Sequence, residues 1–350
     1  MKRVMIVIIV FSLLLPTVLT GCGQRVGSNG VVNVHNWGEY IDESIFRIFE
    51  RETGIRVNYS TFETNEALYA LMRRGGANID VIIPSDYMIA RMIEEDMLEE
   101  LDFSNIPNFE LIDPRYKGLA YDPDNRFSVA YMTGTVGIIY NSSFITDDIT
   151  SWNALFDERY AGQILMFDNP RDAFGITLKY LGYSLNTVNE DEIHEAFDLL
   201  VRQKPILQAY VMDQIFDKLE GGEAWIGPYY AGDFLAMLEN NPDLRFARPT
   251  EGTNFFVDAM CIPKDAANKT NAEVFINFMT RTDIAMMNMA YIFYASANQE
   301  AAAMFAAEIS AEEYAVMFAS SEVIANSEVY SHLPRHILEL YDRLWVELKR

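Results

Sequence analysis

The sequence is poor in the residue types that most catalytic chemistry uses. It contains 2 cysteines and 4 histidines in 350 residues. Cys22 closes an N-terminal apolar segment, and Cys261 sits in the apolar run Ala259-Met260-Cys261-Ile262, where a thiol packs as a small hydrophobe. With Cys22 used elsewhere no disulfide is available, so stability has to come from a core, and a chain of this length has room for two domains. There is no P-loop, no G-x-G-x-x-G after a strand, no H-E-x-x-H, no C-x-x-C and no G-x-S-x-G. Those absences remove the common nucleotide, metalloprotease, redox and serine-hydrolase machinery. His332 and His336 are spaced for one helix face, but Pro334 between them starts the helix after His332, so a metal pair is not expected. Asp122-Pro123-Asp124-Asn125 opens like a calcium loop, lacks the later Gly and Glu, and is read as a turn. Neither metal nor cofactor is expected.

Positive charge is scarce as well. Lys and Arg number 27 against 51 Asp and Glu, a formal net charge of −24. Loss of Lys2 and Arg3 with an export signal would make the remaining chain more negative still. Such a field opposes nucleic acid and concentrates cations near any cleft. The N-terminus carries that signal: Lys2 and Arg3, an apolar run from Val4 to Leu19 broken by Pro16, then Leu19-Thr20-Gly21-Cys22. The run is short for a membrane span and no stop-transfer charges follow. Residues 1–21 are read as a signal peptide, Cys22 as the lipidated N-terminus left by a lipobox-like cleavage, and 22–30 as a flexible tether. A plain cleaved signal and an uncleaved anchor are the alternatives.

From Val31 the pattern alternates strand and helix: strands over Val31–His35, Ile55–Phe62 and Ile79–Ile83, with helices after Asp42, Asn65 and Ser85. Gly54 stops the first helix and Ser85 is placed to cap the third. A proline-rich stretch to Arg126 leads into a long extended segment, Ser128–Tyr140. A second set follows, with strands at Gly162–Phe167, Pro205–Tyr210, Glu223–Ile226 and Leu244–Phe246, helices at Phe174–Gly182 and Glu190–Arg202, and a buried-strand pattern at Asp258–Ile262. From Asn271 the chain is helical, and Met286, Met287 and Met289 read as core. The expected class is α/β: two similar lobes, each a mostly parallel sheet flanked by helices, joined by two extended crossings.

The loops after the strands pair rings with carboxylates: Trp37-Gly38-Glu39-Tyr40, Ser85-Asp86-Tyr87, Asp168-Asn169-Pro170-Arg171-Asp172 and Phe256-Val257-Asp258. Ligands of open α/β sheets bind outside the carboxyl ends of the strands, so these loops can converge on one crevice. Carboxylates neutralise ammonium groups and ring faces attract them, which suits an organic cation. Asp172 and Asp258 also have the residue type of a glycosidase acid and base, but nothing in the sequence separates their acidities.

From Val31 onward the sequence resembles the spermidine/putrescine-binding proteins of bacterial ABC polyamine importers. The resemblance rests on Asn36-Trp37-Gly38-Glu39-Tyr40, Thr53-Gly54-Ile55, Ser60-Thr61-Phe62-Glu63-Thr64-Asn65-Glu66 and Pro84-Ser85-Asp86-Tyr87. It continues through Ser151-Trp152-Asn153-Ala154-Leu155-Phe156, Lys179-Tyr180-Leu181-Gly182-Tyr183-Ser184 and Phe256-Val257-Asp258-Ala259. It implies a periplasmic-binding-protein fold of type II, with lobe 1 built from 31–136 and 259–305 and lobe 2 from 137–258 and 306–350. It also implies ligand contacts at Trp37, Glu39, Tyr40, Ser85, Tyr87, Asp172, Asp258 and Tyr294. Asn169 stands where the family often has a carboxylate, Tyr229 and Phe256 where Trp is usual, and Tyr330 where Gln is usual. A monomer is implied that is anchored by lipid to the outer face of the cell membrane and delivers a polyamine to ABC permease subunits with a cytoplasmic ATPase. The alternatives are another small cation such as an amino acid or betaine, a non-transport sensor, and, from a different class, a secreted enzyme.

Overall fold

A computed structural model of the protein describes residues 30–75 and 78–350. The signal, Cys22 and nearly all of the tether lie outside them. Strands β1 (Val31–Trp37), β2 (Arg56–Phe62), β3 (Val81–Ile82), β4 (Ser128–Asn141), β5 (Ile164–Phe167), β6 (Leu207–Val211), β7 (Ile226–Tyr230), β8 (Leu244–Ala247), β9 (Phe255–Cys261) and β10 (Ala295–Ser296) run in the order β2-β1-β3-β9-β4-β7-β5-β6, with β8 and β10 attached to β4.

Two copies of one pattern make up that order. β2, β1 and β3 are parallel and are closed by antiparallel β9; β6, β5 and β7 are parallel and are closed by antiparallel β4. Both closing strands are long and buried, and they pair with each other from Ser128↔Cys261 to Thr135↔Phe255. β4 then continues alone into the second set, pairing with β7 from Val136 to Tyr140. Its near-continuous apolar run is what a strand covered on both faces requires. The two lobes are thus sewn together by the two extended crossings that the sequence indicates.

Helices form where the apolar spacing predicts. Ser44–Thr53 buries Ile45, Phe46 and Phe49, and Gly54, at φ 72°, ends it by donating to the Glu50 carbonyl. The helix Arg335–Lys349 begins after Pro334, leaving His332 outside it and 3.3 Å from the Glu94 carboxylate. Asp122 accepts from the amides of Arg126 and Phe127, closing a turn.

Three expectations need correction. The strand placed at Glu223–Ile226 instead starts at Ile226 and runs to Tyr230, with Pro228 opposite Ile138. A proline ordinarily argues against a central strand, which is why the sequence hid it. Ser85 occupies the N-cap of Asp86–Glu94 but its side chain makes no cap bond, and its backbone is drawn into a bridge with Asp258. Of the methionine cluster, Met289 is buried while Met287 is exposed.

Candidate functional site

A cavity of about 740 Å³, counted out to its mouth, lies where the carboxyl ends of the parallel strands meet. Every one of the six contributes: Trp37 and Gly38 at and after the end of β1, Glu63 after β2, Ser85 after β3, Asn169 and Asp172 after β5, Met212 and Asp213 after β6, Tyr229, Tyr230 and Asp233 at and after β7. Phe256 and Asp258 come from β9, two apart in an extended strand and therefore on one side of it. Tyr294 and Tyr330 complete the rings. The lining holds five carboxylates (Glu63, Asp172, Asp213, Asp233 and Asp258) and no lysine, arginine or histidine.

Asp258 is 4 % exposed. Its Oδ2 accepts the Tyr40 hydroxyl at 2.8 Å, and the Ser85 hydroxyl also faces it. Oδ1 is buried with no partner. Burial, with the Asp172 charge adding to it, pushes the carboxyl up to about 6 against the pull of both hydroxyls. A buried acceptor without a donor costs about 1–3 kcal/mol or more when charged, so the atom is set for a partner that the protein does not itself supply.

Asp172 is held from the loop and helix that follow β5. Asn169 caps the helix Pro170–Tyr180, accepting from the Asp172 amide at 2.9 Å, while its own amide nitrogen donates to Asp172 Oδ2. The Tyr230 hydroxyl donates to the same oxygen at 2.8 Å. Burial again raises the carboxyl, more than these bonds lower it. Farther along, the Tyr229 hydroxyl donates to Asp213 at 2.9 Å, and burial pushes Asp233 up to about 8. Asp213 Oδ2 lies so close to the Gly38 backbone that a β-carbon there would meet it at 2.6 Å.

The rings form a continuous wall. Tyr40 meets Tyr294 edge-on at 5.0 Å, Phe256 meets Tyr230 edge-on at 5.6 Å, and Tyr87 meets Tyr330 edge-on at 5.7 Å across the two lobes. Trp37 is tilted on Phe62 at 4.5 Å, with its indole donating to the Ile83 carbonyl. Tyr87 also donates to Glu66, whose other oxygen is buried without a partner. Three of the rings are seated on glycines: a β-carbon at Gly134 would strike Phe256 at 2.5 Å, and β-carbons at Gly232 and Gly175 would overlap Tyr294 and Tyr330.

The structure therefore brings together Trp37, Tyr40, Ser85, Tyr87, Asn169, Asp172, Tyr229, Phe256, Asp258, Tyr294 and Tyr330. Glu39 is the exception: it is exposed at φ 48°, and this turn presents the Gly38 backbone inward and the Glu39 side chain outward. Sequence reasoning missed Tyr230, Asp213 and Asp233. The first was lost with the misplaced end of β7, although the ring-plus-carboxylate signal was present in Tyr229-Tyr230-Ala231-Gly232-Asp233.

A two-lobed α/β chain with one polar, ring-lined cleft at the strand ends defines a solute receptor. The family of bacterial extracellular solute-binding proteins matches residues 44–316, and the chain belongs to it. It is 32 % identical over 303 residues to the spermidine/putrescine-binding periplasmic protein of Escherichia coli, covering 86 % of each chain. Among solved structures it resembles the spermidine/putrescine ABC transporter substrate-binding protein PotD of Streptococcus pneumoniae, at 34 % identity and TM-score 0.77, covering 91 % of this chain and 98 % of that one. The TpPotD lipoprotein of Treponema pallidum matches at 26 % identity and TM-score 0.81, over 91 % and 99 % of the two chains. The family is one of binding proteins rather than enzymes, and it works outside the cytoplasm.

Proposed function

We propose that the chain binds a linear polyamine of the spermidine/putrescine class and delivers it to an ABC importer. The observation that carries this is Asp258 Oδ1, buried and unpartnered in a ring-lined cavity that contains no side-chain cation. An ammonium there replaces a missing hydrogen bond and a missing counter-charge at once, and the rings cover its methylenes. Asp172 is the second anchor, and Trp37, Tyr40, Tyr87, Phe256 and Tyr294 enclose the stem. The names of the relatives at 32 % and 34 % identity support the same cargo.

The protein on this reading is tethered through lipid at Cys22 and hands its ligand to permease subunits coupled to a cytoplasmic ATPase. The lobes, bounded near Val136 on β4 and Asp258 on β9, close on the ligand by bending at the two crossings. A thermal-shift panel of putrescine, spermidine, spermine, lysine and glycine betaine tests the cargo. Native-state binding raises apparent stability by RT ln(1 + [L]/Kd), so the amine that fits gives the largest shift. A shift confined to lysine or betaine would assign another cation.

A further inference from the structure

Arg171 is a buried charge that the cleft does not use. It is 3 % exposed, yet it stays out of the cavity lining. It stands in the first turn of the helix Pro170–Tyr180, the end at which a helix dipole disfavours a cation. No carboxylate bonds it among the described residues: Nη2 donates to the Asn186 side chain at 3.1 Å and to the Ser331 carbonyl at 3.3 Å, and Nε and Nη1 are buried without a partner. A buried cation without a bonded counter-charge is costly unless something else compensates it. Three rings do so here. The guanidinium carbon lies 4.4 Å from the centre of the Tyr330 ring, 5.4 Å from Tyr87 and 5.7 Å from Tyr341, all within the reach of cation–π attraction. Tyr330 is fixed in that place by its hydroxyl, which donates to the Arg171 carbonyl at 2.9 Å.

Tyr87 makes the cluster more than local packing. Arg171 follows β5 of the second parallel set, whereas Tyr87 stands in the helix Asp86–Glu94 after β3 of the first. The Tyr87 hydroxyl donates at 2.9 Å to Glu66 in the helix Asn65–Arg73 after β2, and the other Glu66 oxygen is buried without a partner. Burial raises the Glu66 carboxyl, and the Tyr87 hydroxyl and the Arg171 charge both oppose the rise. With a carboxylate on its hydroxyl and a guanidinium against its ring, Tyr87 spaces an ion pair whose anion belongs to one half of the molecule and whose cation belongs to the other.

We propose that Arg171 is a positioning residue which, with Glu66, clamps the two halves of the cleft through the Tyr87 ring and sets how slowly a bound ligand leaves. Tyr87 and Tyr330 line the cavity and meet edge-on at 5.7 Å, and Arg171 holds both from outside it. The contact with Tyr87 exists only while the two halves are together. It therefore opposes opening and leaves the encounter with ligand unchanged. Because Arg171 does not line the cavity, its effect is the same for a short amine and a long one.

This rests on the cleft being the amine site, and stopped-flow kinetics separates the two ideas. Association and release of spermidine and putrescine are measured for wild type, Arg171→Lys, Arg171→Met, Glu66→Gln and the double variant Glu66→Gln/Arg171→Met. Arg171→Lys keeps the charge and loses the flat guanidinium, and Arg171→Met keeps much of the bulk and loses the charge. Both should speed release by about tenfold or more, by the same factor for the two amines, with association changed by less than about threefold. Glu66→Gln should speed release as well, and the double variant should release no faster than the worse single one, because the two residues act through one contact. Glu66→Gln leaves the buried guanidinium in place, so it keeps the test open if an Arg171 variant fails to fold. Release at the wild-type rate from folded Glu66→Gln or Arg171→Met would overturn the clamp while leaving the amine site intact. So would single effects that multiply in the double variant, or a loss confined to one amine. No binding of either amine by wild type would overturn the amine site and the clamp together.

Discussion

Replacing Asp258 with Asn is the perturbation that bears most sharply on the site. Asn can still accept the Tyr40 hydroxyl that reaches Oδ2 at 2.8 Å, so the wall of rings and the β9 backbone have no reason to move. What changes is the unpartnered oxygen, which loses its charge or becomes an amide that points a donor at an ammonium. Leaving one member of a buried charge pair without the other costs roughly 2–5 kcal/mol, about a thirtyfold to several-thousandfold weaker Kd. Fold stability should move the other way. The wild-type carboxyl is pushed up to about 6 by burial, so its ionisation opposes folding at neutral pH, and removing it should raise the melting temperature of the unliganded protein. Calorimetry and melting on the same samples read both effects. Binding within about twofold of wild type by a folded Asp258→Asn protein would refute the charge-pairing argument and move the burden to Asp172.

Other consequences are independent of that variant. Phe256→Ala should cost about 0.5–2 kcal/mol of binding, one cation–π contact, measured by titration. Gly134→Ala should weaken binding without touching ligand, because its β-carbon would displace the Phe256 ring from a contact at 2.5 Å; a crystal structure of the variant would show the ring shifted. The Asp86 and Asp233 carboxyls, raised by burial to about 8, contribute stability that is full below their ordinary value of 3.8 and lost as pH rises through about 8. The melting temperature of the unliganded protein should therefore fall less toward alkaline pH in Asp233→Asn than in wild type. Amine affinity follows Asp258 with the opposite sign, weakening by up to about tenfold per pH unit below about 6. Cys22→Ser should release the protein from the membrane fraction or leave it unprocessed, read by fractionation and mass.

Much of the site was legible because its residues obey local rules. Strand ends and their following loops can be read from β-branched runs, and the pairing of Phe256 with Asp258 follows from a period of two. What escaped depended on distant parts of the chain. Pro228 masks β7 because a proline argues against a central strand, and only the pairing of Pro228 with Ile138 of β4 reveals one; with β7 went Tyr230, the residue that bonds Asp172. Asp213 and Asp233 become site residues only when β6 and β7 lie beside β5. Glu39 shows the reverse error: its motif matches the family, but the positive φ that turns it outward is a property of the folded loop. The glycines at 134, 175 and 232 look like ordinary strand and helix positions until the rings that need their space come from elsewhere in the sequence.

The most direct measurement is the crystal structure of the protein with spermidine bound. An extended amine should lie along the cleft with one ammonium within hydrogen-bonding distance of Asp258 Oδ1 and its methylenes against Phe256, Tyr40 and Tyr294. An amine seated elsewhere, or Asp258 Oδ1 paired only with water while spermidine occupies the protein, would contradict the account.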